Sequence, residues 1–143
     1  MDTHEETDPF DAEQLHFAAQ DGDLDRVRRL LTEGYDVNVF DDLGKTPLHY
    51  AVEHERLEVA QYLIDHGADV NARHEPGIGN TPLAEVAGSC SLRVAILLVN
   101  AGADPTIPGW MQLSALDRAE NRARGDGPEV YALLVRAAGT RRT

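Results

Sequence analysis

Apolar and polar positions along this chain repeat in blocks of about one third of a hundred residues. Leucines at 15, 48, 83 and 116 open four similar blocks, spaced by 33, 35 and 33 residues. In the first block, Gln14 to Gln20 predicts a short helix, and Gly22 supplies a residue free to take the left-handed conformation that ends one. A second helix follows from Leu24, with Leu24, Val27, Leu30 and Leu31 on one face and Arg26, Arg28 and Arg29 on the other. The second block repeats this with Leu57 to Ile64, and the fourth with Val130, Leu133 and Leu134 after Pro128. Two such helices cannot bury Leu48, Leu57 and Leu63 by themselves, so the blocks are expected to stack and cover one another.

The second block is the most regular. Thr46 is placed to cap a helix, and Pro47 stands in the first turn, where a missing N–H costs nothing. Thr46-Pro47-Leu48-His49 opens it and Gly67-Ala68-Asp69-Val70-Asn71 closes it; Thr81-Pro82-Leu83-Ala84 and Gly102-Ala103-Asp104-Pro105-Thr106 do the same one block on. This pattern resembles the ankyrin repeat. The resemblance covers residues 11–139 and implies an all-α solenoid of helix-turn-helix units joined by short β-hairpin fingers. The expected organisation is a disordered acidic tail over 1–10, repeats at about 11–43, 44–78, 79–111 and 112–139, and a frayed end over 140–143.

The departures from the pattern are as informative as the matches. Glu55 replaces the glycine between the two helices, where a left-handed residue costs about 1 kcal/mol. Cys90 takes the same place one block later, and Gln112 replaces the glycine of the last finger. Two extra residues fall in the finger 73–80 and three in the segment 122–128. The end blocks lack the full motif, as suits caps that face water.

Composition narrows the function classes. The net charge is −12, and residues 1–117 hold 22 acids against 7 basic residues. Such a body repels phosphate backbones and anionic membranes and attracts a basic partner. Solubility alone accounts for much of the charge. No run approaches a membrane span and no apolar leader is visible, which points to the cytoplasm. Cys90 stands alone, without a local activating pattern, and the chain carries no phosphate-binding loop, nucleophile elbow or zinc-protease motif. No cofactor, metal or catalytic residue is therefore expected.

The resemblance assigns His16 and His49 a structural role, bonding the next finger. It marks Asn38 and Asn71 as hydroxylation targets where the modifying enzyme exists; the plainer expectation is that they stabilise turns. It also implies that fingers and first helices line a concave binding face. The positions that fall there are Phe40, Asp42, Leu43 and Lys45, then His74, Ile78 and Asn80, then Trp110, Met111 and Leu113. The first helices add Gln20, Asp21, Glu53, His54, Gly88, Ser89 and Asn121. Apolar residues at finger tips need a reason to face water, and Trp and Phe are favoured anchors. Asp41, Asp42 and Glu75 are expected as an acidic rim. The expected function is a monomeric, non-catalytic module that binds another protein. The alternatives are an inhibitor or immunity-type protein that blocks a basic enzyme or toxin, and an acidic nucleic-acid mimic.

Overall fold

A computed structural model of the chain describes residues 13–74, 79–120, 122 and 127–142, with side chains as far as Gly139. The expectations for the acidic tail, for Glu75 and Ile78 in the second finger, for Asn121 and for 123–126 lie outside the described residues.

The described residues form eight α-helices: α1 Gln14–Asp21, α2 Leu24–Thr32, α3 Pro47–Glu53, α4 Leu57–Asp65, α5 Pro82–Val86, α6 Leu92–Asn100, α7 Ala115–Glu120 and α8 Gly127–Arg142. Each first helix of a pair packs on the next first helix, giving the row α1, α3, α5, α7. The second helices form the row α2, α4, α6, α8 behind it. The fingers turn without any strand among the described residues, where the resemblance implies short β-hairpins. The fold is the all-α repeat solenoid that the resemblance implies.

The core lies between the two rows. Leu15, Leu48, Leu63, Leu83, Leu98 and Leu134 are fully buried, each repeat closing over its neighbour's leucines. Local chemistry sets the helix starts. Thr46 Oγ1 accepts the His49 N–H at 3.4 Å, and His49 Nδ1 accepts the Thr46 N–H at 3.0 Å. Ser114 and Asp117 rebuild this box in the fourth repeat, with Asp117 Oδ2 accepting the Ser114 N–H at 3.0 Å and Ser114 Oγ accepting the Asp117 N–H at 3.1 Å. In the first repeat Glu13 stands in Thr46's place and makes no side-chain cap, which leaves His16 Nδ1 buried without a partner.

Three sets of hydrogen bonds tie repeat to repeat. His16 Nε2 bonds the carbonyls of Val39 and Lys45 at 3.0 Å each, and His49 Nε2 that of Asn80 at 2.8 Å. The structural role expected for both histidines is what the structure has. Asn38 and Asn71 form a second set: each donates to a glycine carbonyl one repeat on, Gly67 and Gly102, and accepts an N–H from Asp69 and Asp104. The third set runs along the turns between paired helices. Arg56 Nε donates to the Gln20 carbonyl at 2.9 Å, Glu55 Oε2 accepts the Ser91 N–H at 3.0 Å, and Arg122 donates to the Ala87 carbonyl at 3.3 Å.

This last set explains Glu55. It is left-handed as expected, φ 56°, and its carboxylate caps the turn before α6. Cys90 differs from its expected place. It has no positive φ, because α5 ends two residues earlier than α3 in its repeat, and its side chain turns into the core, 3% exposed. Burial pushes its thiol above the ordinary range.

Candidate functional site

The fingers and the first row of helices share one face, and its polar floor begins in the first finger. Asp41 lies at the start of the turn, where its carboxylate accepts the N–H groups of Leu43 and Lys45 at 3.0 Å each and the Tyr50 hydroxyl at 2.5 Å. Burial alone would raise its pKa; the Tyr50 hydroxyl, the two amides and the charge of His16 outweigh that and lower it. Asp41 is thus a structural brace of the finger, not the rim acid that its position in the sequence suggests. Asp42, next to it, is exposed.

Lys45 reaches across the floor. Its Nζ lies 2.7 Å from Glu53 Oε2 and 3.6 Å from Glu85 Oε2, and 5.2 Å from the centre of the Tyr50 ring. The three charged side chains keep only about a fifth of their surface, at 18%, 20% and 23%. Burial would lower the Lys45 pKa, but the two carboxylates raise it. Burial raises Glu53 despite Lys45. Glu85 is lowered against burial by the Asn80 amide and by Lys45. Two carboxylates thus share one ammonium on a floor largely shielded from water, where charges are felt more strongly than on an open surface.

The second finger rests on the first and the third on the second. Phe40 is half-buried, its ring 5.0 Å from that of His74, so it folds back onto the neighbouring finger. Asn80 is buried, 8% exposed. Its Nδ2 donates to Glu85 Oε1 at 3.1 Å and its Oδ1 accepts the Trp110 N–H at 2.9 Å. These bonds commit Asn80 to joining fingers and remove its side chain from the accessible face. Gly109 is needed where it stands, since a Cβ there would come within 2.2 Å of Asn80 Oδ1.

The fingers also leave large apolar side chains open to water. Leu43 is 56% exposed, Trp110 52%, Met111 68% and Leu113 37%. The third finger is closed by the Gly109 N–H donating to the Leu113 carbonyl at 2.9 Å. Its tip holds two left-handed residues that are not glycine, Met111 at φ 59° and Gln112 at φ 62°. Each such residue costs roughly 1–2 kcal/mol against an ordinary conformation. His54 is exposed at the end of α3, as are Asp21, Gly88 and Ser89, while Gln20 is half-buried.

Tyr50, Glu85 and Arg118 are floor residues that the sequence reading missed. Each directly follows the fourth residue of the opening motif, at the period of the repeat, so the register alone would have found them. On the opposite side, α4 and α6 part to leave a groove of about 570 Å³ lined by Leu57, Ile64, Asp65, Arg93, Ile96 and Leu97. Among the described residues no group of three His, Cys, Asp or Glu side chains is placed to hold a metal ion, and no helix is long and apolar enough to cross a membrane.

The comparisons with known proteins agree with this architecture. The family model described as Ankyrin repeats (3 copies) matches residues 15–109. Neurogenic locus notch homolog protein 1 of Xenopus tropicalis is 39% identical over 139 residues, which is 96% of this chain and 5% of that protein. The Nuclear factor NF-kappa-B p105 subunit of Mus musculus is 34% identical over 113 residues, 78% of this chain and 12% of that protein. Palmitoyltransferase akr1 of Schizosaccharomyces pombe is 44% identical over 59 residues, 41% of this chain and 9% of that protein. The chain therefore spans about a seventh or less of the length of these curated relatives. An enzyme name among those relatives says nothing about catalysis here, because the match is to their repeats. Ankyrin repeats are in general protein–protein interaction modules, typically non-catalytic. With three repeats matched over most of its length and a fourth helix pair stacked behind them, the chain belongs to the ankyrin-repeat family.

Proposed function

We propose that this chain is a non-catalytic module that holds another protein against its fingers and first-row helices. The observation that carries this reading is the set of exposed apolar side chains at finger tips, Leu43, Trp110, Met111 and Leu113, standing over a floor of partly shielded carboxylates. Apolar tips supply buried area on contact, and the acids favour a basic partner and speed encounter with it. The module acts as a monomer, in the cytoplasm. Of the expected contact residues, Asp42, His54, Leu43, Trp110, Met111 and Leu113 are free to meet a partner. Lys45 and Glu53 offer only their edges, and Phe40 and His74 shape the surface by packing on each other.

The negative charge also favours a narrower reading, an inhibitor or immunity-type protein that covers the cleft of a basic enzyme or toxin. A nucleic-acid mimic would need no apolar tips, so their exposure favours a protein partner over it.

The test is recovery of partners from native cells on immobilised wild-type chain, on a Leu43→Ser/Trp110→Ser variant, and on Ile96→Ser in the opposite groove. The tip variant is expected to lose a partner that Ile96→Ser retains. Retention by the tip variant with loss by Ile96→Ser would move binding to the other face and defeat the reading. If the recovered partner is an enzyme whose activity falls when the chain is added, the inhibitor reading gains; unchanged activity removes it.

A further inference from the structure

We infer that the third finger is the anchor of the binding face, and that it takes a segment of the partner in which an apolar side chain is flanked by arginine or lysine. This rests on the concave-face reading above. Two observations single the finger out. Trp110, Met111 and Leu113 are all exposed within four residues of chain, so three apolar side chains meet water on one finger, whereas Leu43 is the exposed large apolar residue of the first finger. The backbone beneath them is left-handed at two successive residues that carry side chains, Met111 and Gln112. The first finger uses Gly44 at the second of these places. Strain of this kind persists only where the surroundings enforce it.

The enforcement is visible at every side of the finger. The Trp110 N–H is held by Asn80 and its carbonyl accepts from Arg118 at 3.3 Å. The Pro108 carbonyl accepts from Arg73 at 2.9 Å, and the Gly109 N–H closes the turn on Leu113. A large aromatic side chain on a base fixed in this way loses little freedom when a partner covers it.

The occupant's chemistry follows from charge. The bonds from Trp110 lead through Asn80 to Glu85, and from Glu85 through Lys45 to Glu53. The third finger itself meets Arg73 and Arg118 only through its backbone carbonyls; beyond Asn80 lies the floor where two carboxylates meet one ammonium, and Asp42 is exposed in the first finger. A neutral or acidic segment laid across the tip would bring no compensation to those carboxylates. A second copy of this chain, with a net charge of −12, is opposed for the same reason.

The experiment is selection of a phage-displayed random 12-residue peptide library on the full chain, followed by affinity measurement of the enriched peptides by fluorescence anisotropy. The enriched peptides should combine a Trp, Leu, Ile or Phe with two or more Arg or Lys. Trp110→Ser should weaken them roughly tenfold or more, with thermal unfolding close to wild type because the side chain is half exposed. Raising salt from about 50 to about 500 mM should weaken them further. Enriched peptides that depend on Trp110 but are neutral or acidic would overturn the basic occupant. Peptides indifferent to Trp110→Ser but lost with Leu43→Ser would overturn the third finger as anchor and leave the concave face standing. Peptides lost only with Ile96→Ser would overturn both readings. An empty selection, or concentration-dependent self-association abolished by Trp110→Ser in sedimentation velocity, would also overturn the proposed occupant.

Discussion

The first and third fingers are the same turn put to different uses. In each, an N–H at the start donates to the carbonyl four residues on, Asp41 to Lys45 and Gly109 to Leu113, both at 2.9 Å. In the first, the Asp41 carboxylate takes three donors, Gly44 supplies the left-handed residue, and Lys45 is held between Glu53 and Glu85. In the third, glycine replaces the aspartate, side-chain residues are forced left-handed, and Leu113 in Lys45's place is open to water. The first finger is braced by its own side chains. The third is braced by its neighbours, and its own side chains are left over for contact. Within one repeat fold, a finger side chain is left open to water where it is released from stabilising the turn it sits in.

The comparison depends on the stack that carries both fingers, so the largest effect should come from the core. Leu63→Ala removes a fully buried side chain and should cost about 2–5 kcal/mol in urea unfolding. Both fingers should be lost together with the fold. Survival of either one on an unfolded stack would break the comparison.

Acid should act next, through the second finger. Burial lowers the His49 imidazole to about 4 from an ordinary 6.5. The unfolded chain therefore takes up a proton first as pH falls, and stability is lost between about 6.5 and 4, up to about 3 kcal/mol. Urea unfolding at a series of pH values should show this slope, and His49→Gln should flatten it. An unchanged slope in the variant would mean that the His49–Asn80 link does not set it.

Within the first finger, Asp41→Ala removes the acceptor of three hydrogen bonds and should destabilise by about 1–3 kcal/mol. Asp42→Ala, at an exposed neighbouring site, should stay within about 0.5 kcal/mol of wild type. Equal effects would mean that the finger is not braced by Asp41. The smallest change is a reciprocal swap. Gln112→Gly should stabilise by up to about 1 kcal/mol, by relieving a left-handed side-chain residue. Gly44→Gln should destabilise by about 1–2 kcal/mol, since it adds that strain and its Cβ would approach His74 at 3.2 Å. If both swaps are neutral, the two turns do not differ in strain.

Much of the stack was legible because it is periodic. The leucines at 15, 48, 83 and 116, the motif Thr46 to His49 and the left-handed Glu55 could all be placed by counting. The candidate face was less legible, and the reason differs residue by residue. Phe40 reads as an exposed anchor until His74 is brought beside it. Asn80 reads as a finger-tip contact until its amide is found between Glu85 and Trp110. Cys90 counts to a turn position, but the shorter α5 swings it into the core.

The sequence by itself determined the repeat, its period and the residues that serve packing, because burial and helix capping act over a few residues and recur with each unit. Only the tertiary structure decided which finger side chains are used up and which are free. That depends on contacts across neighbouring repeats, 30 and 31 residues away in the chain, where Asn80 reaches Trp110 and His49 reaches Asn80. Counting along one repeat cannot show which donor of the next will arrive there.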